Sequence, residues 1–291
     1  MVTGPGGYPT DLAWSIPRSQ LGPNLVPMPF MLPRSLSPSK VSSFTDCPLA
    51  FRLAIIDRLP EPPSPHAVKG TLVHSALEGL FWSHPRGERT PAAAAAELDT
   101  AWRALRTDPE FGALALSSEE AESFRADAEM LVANYFILED PNSVRAVGVE
   151  LGLEVDVGDV RLRGIIDRLD ITEDGELVVI DYKSGRAPSV RYEHARMAGV
   201  HIYALLCERV LGRAPVEVRL LHLRDPVAIV AVPTEQSIRG QRQRTTAVWR
   251  AIERACARED FRPRPGPLCR FCNFQPLCPV YGGEPPAAAA S

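Results

Sequence analysis

The sequence predicts an α/β fold, strands flanked by helices, and three observations carry that prediction. Residues 164–185, GIIDRLDITEDGELVVIDYKSG, read as two strands joined by a tight turn, with acidic residues set inside apolar runs. Segments with apolar residues at helical spacing stand on both sides of this hairpin. At 291 residues, 45% apolar and 23% charged, the chain has a globular composition and the length for a sizeable core.

Residues 1–36 are rich in Pro, Gly and Ser without a sustained period and read as a disordered arm. Helix-start signals follow from Ser37, and the prolines of 60–65 break the chain. Residues 70–82 form an amphipathic helix with Val73, Leu77, Leu80 and Phe81 on one face and His74 and Glu78 four apart on another. A histidine so placed is either a hydrogen-bonded core residue or a ligand. Residues 91–105 and 117–138 read as helices, the second opened by a Ser117/Glu120 capping pair, and form a scaffold-like helical insertion over about 85–140. Residues 144–155, 160–171 and 177–183 make a three-stranded meander. Glu150 on its first strand is open to two readings, a metal-site assistant or a surface salt bridge. A helix over 192–211, strands at 216–223 and 228–232 and an arginine-bearing helix over 234–257 follow. In that last helix Trp249 and Ile252 face inward, and residues 283–291 read as a disordered tail.

The hairpin can be set in register. Glu173-Asp174-Gly175 suits a three-residue loop with Gly175 in the left-handed conformation. Pairing outward sets Asp167 opposite Asp181 and Ile165 opposite Lys183, so both carboxylates and the ammonium share one face. Opposed carboxylates on half-buried strands repel and resist desolvation. A divalent cation beside a lysine compensates both costs and suits phosphodiester cleavage. The plain alternative is a solvated surface hairpin; against it stand the apolar run Val178 to Ile180 leading into Asp181 and the glycine after Lys183-Ser184.

Six cysteines lie at 47, 207, 256, 269, 272 and 278. The last three form C-x2-C-x5-C in a proline-rich segment unsuited to regular helix or sheet. Three thiols fall one short of the four ligands of tetrahedral zinc or a cubane cluster. Cys47, in F-x-x-C-P, is the expected fourth although 221 residues separate it from Cys269. Cys207 and Cys256 read as ordinary buried residues, and the spacing disfavours disulfides.

Gly164 to Arg168 (G-x-I-D-R) and Asp181 to Gly185 (D-Y-K-S-G) resemble the PD-(D/E)xK nuclease superfamily, in particular its RecB-like branch. The resemblance implies a restriction-endonuclease-like fold, a mixed central sheet flanked by helices, with Asp167 and Asp181 as metal ligands and Lys183 as the catalytic lysine. Gly70, His74 and Glu78 resemble the segment whose histidine joins the metal shell in that branch, which makes His74 a metal candidate and Glu78 and Glu150 auxiliary ones. RecB-like enzymes carry a glutamine four residues before a tyrosine on the next helix; here Tyr203 is present and Gly199 takes the glutamine's place. Tyr203 therefore either contacts DNA or packs in the core. The lone cysteine and the C-terminal trio resemble an iron-sulfur staple, implying a [4Fe-4S] cluster on Cys47, Cys269, Cys272 and Cys278, with Zn2+ as the alternative.

The resemblance covers about residues 40–282. It implies one nuclease domain over 37–282, with segment 263–282 joined to Cys47, and a Mg2+ or Mn2+ site. The implied activity is DNA cleavage, exonucleolytic on single strands or free ends, in repair or recombination. A catalytically silent DNA-binding module and a zinc-stabilised interaction protein are the alternatives.

The net charge of −4 conceals eleven acidic against three basic residues over 97–140, and eight arginines against three acids over 239–264. Nucleic acid responds to such local fields, so DNA is permitted. No apolar stretch has membrane-spanning length and no secretion signal is evident, so a cytoplasmic location is expected. The sequence lacks a G-x-x-x-x-G-K-[ST] loop, so unwinding is expected from a separate helicase.

Overall fold

A computed structural model describes residues 30–187 and 190–287, the side chains of 190–198 excepted. The chain runs α1 (Pro38–Asp46), α2 (Pro48–Phe51) continuing into one wide turn, α3 (Pro65–Ser83), α4 (Pro91–Leu105), α5 (Pro109–Gly112) and α6 (Ser118–Leu138). It then passes through β1 (Ala146–Val157), β2 (Val160–Ile171), β3 (Leu177–Lys183), α7 (Val190–Leu211), β4 (Glu217–His222), β5 (Val227–Ala231) and α8 (Glu235–Arg258), and ends in short 3-10 turns. The prolines start helices rather than merely ending them. Ser37, Ser64, Thr90 and Asp108 cap helices whose first turn holds a proline, a position that has no hydrogen bond to lose. Thus α3 begins at Pro65, ahead of the predicted Gly70.

The five strands lie in the order β1-β2-β3-β4-β5. All neighbours are antiparallel except β3 and β4, which α7 connects in parallel. β3 is buried on both faces: Leu177 and Val179 join the core under α1, α7 and α8, while Val178, Ile180 and Tyr182 join the core under α3, α4 and α6. The hairpin register is the predicted one. Thr172 N–H donates to Glu176 O at 2.8 Å, Gly175 has φ +84°, and Arg168 pairs with Ile180. That rung is the last between β2 and β3, so the strands part where Asp167 and Asp181 come next.

Two predicted boundaries move outward. Residues 30–36, assigned to the arm, are docked: Phe30 is buried edge-on against Phe261 at 5.4 Å, and Leu36 exchanges two 2.8 Å backbone hydrogen bonds with Arg161 and Arg163 of β2. Isolated apolar residues, invisible to a periodicity test, hold this stretch. At the other end Gly283 N–H donates to Cys278 O at 3.0 Å, and the Arg52 guanidinium donates to the Pro286 carbonyl. Residues 1–29 and 288–291 of the predicted arm and tail lie outside the described residues. No helix among the described residues is long and apolar enough to cross a membrane.

One buried cation joins the layers. The Arg168 side chain is inaccessible; its Nε and Nη2 donate to Asp170 at 2.8 Å each, and Nη1 donates to Tyr182 Oη at 2.8 Å, Tyr135 Oη at 3.1 Å and the Glu139 carboxylate. Removing one member of such a network strands buried charge. Arg168→Met should lower stability by about 3–5 kcal/mol, read as a lower urea midpoint with an unchanged slope.

Candidate active site

The site assembles where β2 and β3 part. Asp167 and Asp181 are both buried. Asp167 Oδ2 accepts from Tyr182 N–H at 2.6 Å. Asp181 Oδ1 accepts from the Tyr203 hydroxyl at 3.1 Å, and its Oδ2 meets the Lys183 ammonium without an aligned hydrogen bond. Lys183 is half exposed, on the side of a groove.

His74 reaches the site from α3. Its Nε2 lies 3.1 Å from the Tyr182 carbonyl, which can only accept, so Nε2 carries the hydrogen. In the neutral ring Nδ1 is then a bare acceptor, 3.7 Å from Asp167 Oδ1 and 3.8 Å from Glu150 Oε1. One ligand atom from each of His74, Glu150 and Asp167 lies within 4.8 Å of the others, the one such group among the described residues. Three acceptors facing one another are stable only around a positive charge. Without a metal that charge is a proton: burial opposes protonation of His74, but Glu150, Asp167 and Asp181 outweigh it and raise its pKa. One imidazole and oxygen donors form a set that fits a hard divalent cation.

Asp167 shows the same pressure. Burial, then the charge of Asp181, pushes its pKa up to about 7 against the opposing pull of His74, Tyr182 N–H and Lys183. Glu150 adds backbone strain. It is a non-glycine residue in the left-handed region, φ +45°, within a strand, a conformation costing about 1–3 kcal/mol and concentrated at functional sites.

Two recesses flank the carboxylates. On the α3 side Glu78, with pKa raised by burial and then by Glu150, joins Gly70, Thr71, His74 and Glu150. On the α7 side Asp181, Lys183 and Tyr203 share a groove with α1 and with Gln241, Arg244 and Leu268. Gly199 opens onto this groove, and a β-carbon there would meet nothing within 4 Å. The motif glycines instead allow close packing: a β-carbon at Gly164 would lie 2.7 Å from Leu206 Cδ1, and one at Gly70 would lie 3.2 Å from Ser184 Oγ.

The structure thus brings together Asp167, Asp181, Lys183, His74, Glu150 and Tyr203. It groups Glu150 with His74 and Asp167 and leaves Asp181 outside that trio, a closer placement of Glu150 than the sequence suggested. Gln241 and Arg244 carry no sequence signal of their own, because a groove wall donated by a distant helix leaves no local pattern.

The four cysteines expected to share a site lie in one neighbourhood. Arg264 N–H donates to Cys47 Sγ at 3.4 Å and Gly266 N–H to Cys269 Sγ at 3.3 Å. Burial raises the pKa of Cys272, and Cys47, Cys278 and Cys269 lie near enough to raise it further. By contrast burial alone pushes Cys207 up to about 12 and, with Glu253 adding, Cys256 to about 11, so both stay thiols. Among the described residues no three cysteine sulfurs lie mutually within 4.8 Å. Four neighbouring thiols are donors suited to a thiophilic group, whether tetrahedral zinc or an iron-sulfur cluster.

A mixed sheet flanked by helices, with a hairpin ending in paired carboxylates and a lysine two residues on, defines a class of nucleases. A sequence model of the PD-(D/E)XK nuclease superfamily matches residues 35–279, and the chain belongs to that superfamily. The chain is 25% identical over 278 residues to the Gene 69 protein of Mycobacterium phage D29 and 24% identical over 295 residues to that of phage L5. Each match covers 84% of this chain and 96% of the phage protein. A crystal structure of a presumed exonuclease from Eubacterium rectale aligns with TM-score 0.48 and 14% identity over 82% of this chain and 87% of that one.

The raised Asp167 pKa has a testable sign. Between the unfolded value near 3.8 and about 7 the native carboxyl binds its proton more tightly than the unfolded one, so stability falls as pH rises through that window. In chelator, the melting temperature should decline from about pH 5 to pH 8. Asp167→Asn should flatten the decline and melt higher than the parent at the alkaline end.

Proposed function

We propose that this protein is a metal-dependent DNA nuclease of the RecB-like branch, a single-strand exonuclease acting in repair or recombination. The observation that carries the reading is the convergence of Asp167, Asp181, Lys183, His74 and Glu150 at the open end of the hairpin, beside a groove walled by α1 and α8. The preference for a single strand with a free end follows the RecB-like resemblance of the hairpin and the α3 histidine. Asp167, Asp181 and His74 would hold Mg2+ or Mn2+, with Glu150 assisting; a bound ion would neutralise phosphate charge and acidify water. The chain's own groups do the rest. Tyr182 N–H and the Tyr203 hydroxyl fix the two carboxylates. Lys183, ion-paired to Asp181 and facing the groove, supplies a positive charge where negative charge grows on the phosphate. Cys47, Cys269, Cys272 and Cys278 would hold a structural [4Fe-4S] cluster tying the two ends of a 37–282 domain. Strand separation would come from a separate helicase.

Cleavage assays with Mg2+ or Mn2+ test the site. Asp181→Ala should fold and lose cleavage, whereas Lys183→Ala should keep Mn2+ binding by calorimetry and slow cleavage by about 100-fold or more. Full activity in Asp181→Ala would overturn the assignment.

Absorbance tests the cysteines. Anaerobically purified protein should absorb near about 400 nm. Cys47→Ser should bleach that band as fully as Cys272→Ser, and Cys207→Ser and Cys256→Ser should leave it. Stoichiometric zinc without the band would assign zinc instead.

A further inference from the structure

The long helix α8 buries Ile238, Thr245, Trp249, Ile252 and Cys256 and leaves two flanks. One flank carries Gln241 and Arg244 into the catalytic groove. The other turns away from it. There Arg242, Thr246, Arg250 and Arg254 recur every four residues along one wall of a separate recess of about 610 Å³. Arg209 of α7 and the β1–β2 turn at Gly158 and Asp159 complete the lining. All four arginines are exposed, and among the described residues none has a carboxylate within ion-pair distance. Asp159 is the single acid in the lining.

Exposed arginines are often simply solvated, but these four converge on one concavity with a single acid in its lining. Four unpaired guanidiniums around one concavity raise a positive potential there, and their planar forks match phosphate oxygens. Gly158, Thr246 and Ala247 are small, which leaves room for a chain to lie against the helix. Each four-residue step rises about 6 Å, and Arg242 to Arg254 spans about 18 Å. A row of that length suits a repeating anion better than a single small one.

We propose that this recess is a second DNA contact, in which Arg209, Arg242, Arg250 and Arg254 hold the phosphodiester backbone of substrate lying beyond the catalytic groove. The proposal rests on the nuclease reading and adds to it a dependence on substrate length. Strands long enough to occupy both places bind tightly; short ones occupy the groove alone.

The test compares the parent with the triple variant Arg242→Gln, Arg250→Gln, Arg254→Gln in the full chain, by fluorescence anisotropy of single strands of about 40 and about 8 nucleotides in chelator. The variant should bind the long strand at least about tenfold more weakly at about 0.1 M salt, with a log K against log salt slope shallower by about two, from about 0.7 per lost contact. Affinity for the short strand and the rate of its cleavage with Mn2+ should not change. The corresponding triple lysine variant, which keeps the charges, should recover most of the slope. If the parent binds and cleaves DNA while the variant's long-strand affinity and slope equal the parent's, the recess proposal falls and the nuclease reading stands. If the parent neither binds nor cleaves DNA, both fall. Inorganic pyrophosphate that binds the parent and not the variant, with long-strand binding unchanged, would assign the recess to a small phosphate ligand and overturn the backbone contact.

Discussion

The buried guanidinium of Arg168 is the constraint around which the site is held. A charge with no access to water is tolerable only when its donors are met, and here they reach Asp170, Tyr182, Tyr135 and Glu139. Those partners belong to β2, β3 and α6 and to the chain just after α6, so satisfying one cation fixes the helical layer against the hairpin. Tyr182 passes this rigidity to the chemistry. Its hydroxyl is anchored by Arg168, while its backbone N–H holds Asp167 and its carbonyl holds His74.

Above that anchor the site is electrostatically unfavourable by itself. Asp167 and Asp181 are both buried, Glu150 approaches in a strained conformation, and Glu78 stands nearby with its pKa raised. Lys183 and a protonated His74 offset part of the repulsion. The β2–β3 ladder ends at Arg168 and Ile180, one rung before the carboxylates would pair directly and repel. A cation would relieve these strains together.

The sheet also sorts charge. The acidic helices α4 and α6 cover one face, and the arginine-bearing α8 covers the other. The net charge of −4 therefore describes neither surface. The first and last described segments meet on the α8 side: Phe30 packs on Phe261, the Arg264 guanidinium donates to the Thr45 carbonyl, and Asn273 reaches Glu61 at 2.9 Å. Leu268 of the cysteine segment lines the same groove as Asp181, so the loops that bring the thiols together also shape the path to the carboxylates.

By itself the sequence determined what depends on neighbours along the chain. The β2 and β3 bounds, the α6 capping box and the Gly175 turn follow local rules, and the turn fixed the register that points Asp167 toward Asp181. Motif spacing likewise marks His74, four residues after Gly70, as a metal candidate and Cys47 as the expected partner of a distant cysteine trio. Tertiary structure decided what depends on residues far apart. Glu150 becomes a neighbour of His74 because a strand takes a left-handed step that no propensity favours. Arg168 is an interior charge only because Tyr135 and Glu139, distant in the chain, close over it. Phe30 and Leu36 are ordered by packing partners beyond their own proline-rich surroundings. Of the many arginines near the C-terminus, only the packing of α8 against α7 and the β1–β2 turn selects Arg242, Arg250 and Arg254 to face one recess with Arg209, because burying one face of a helix determines where its other faces point.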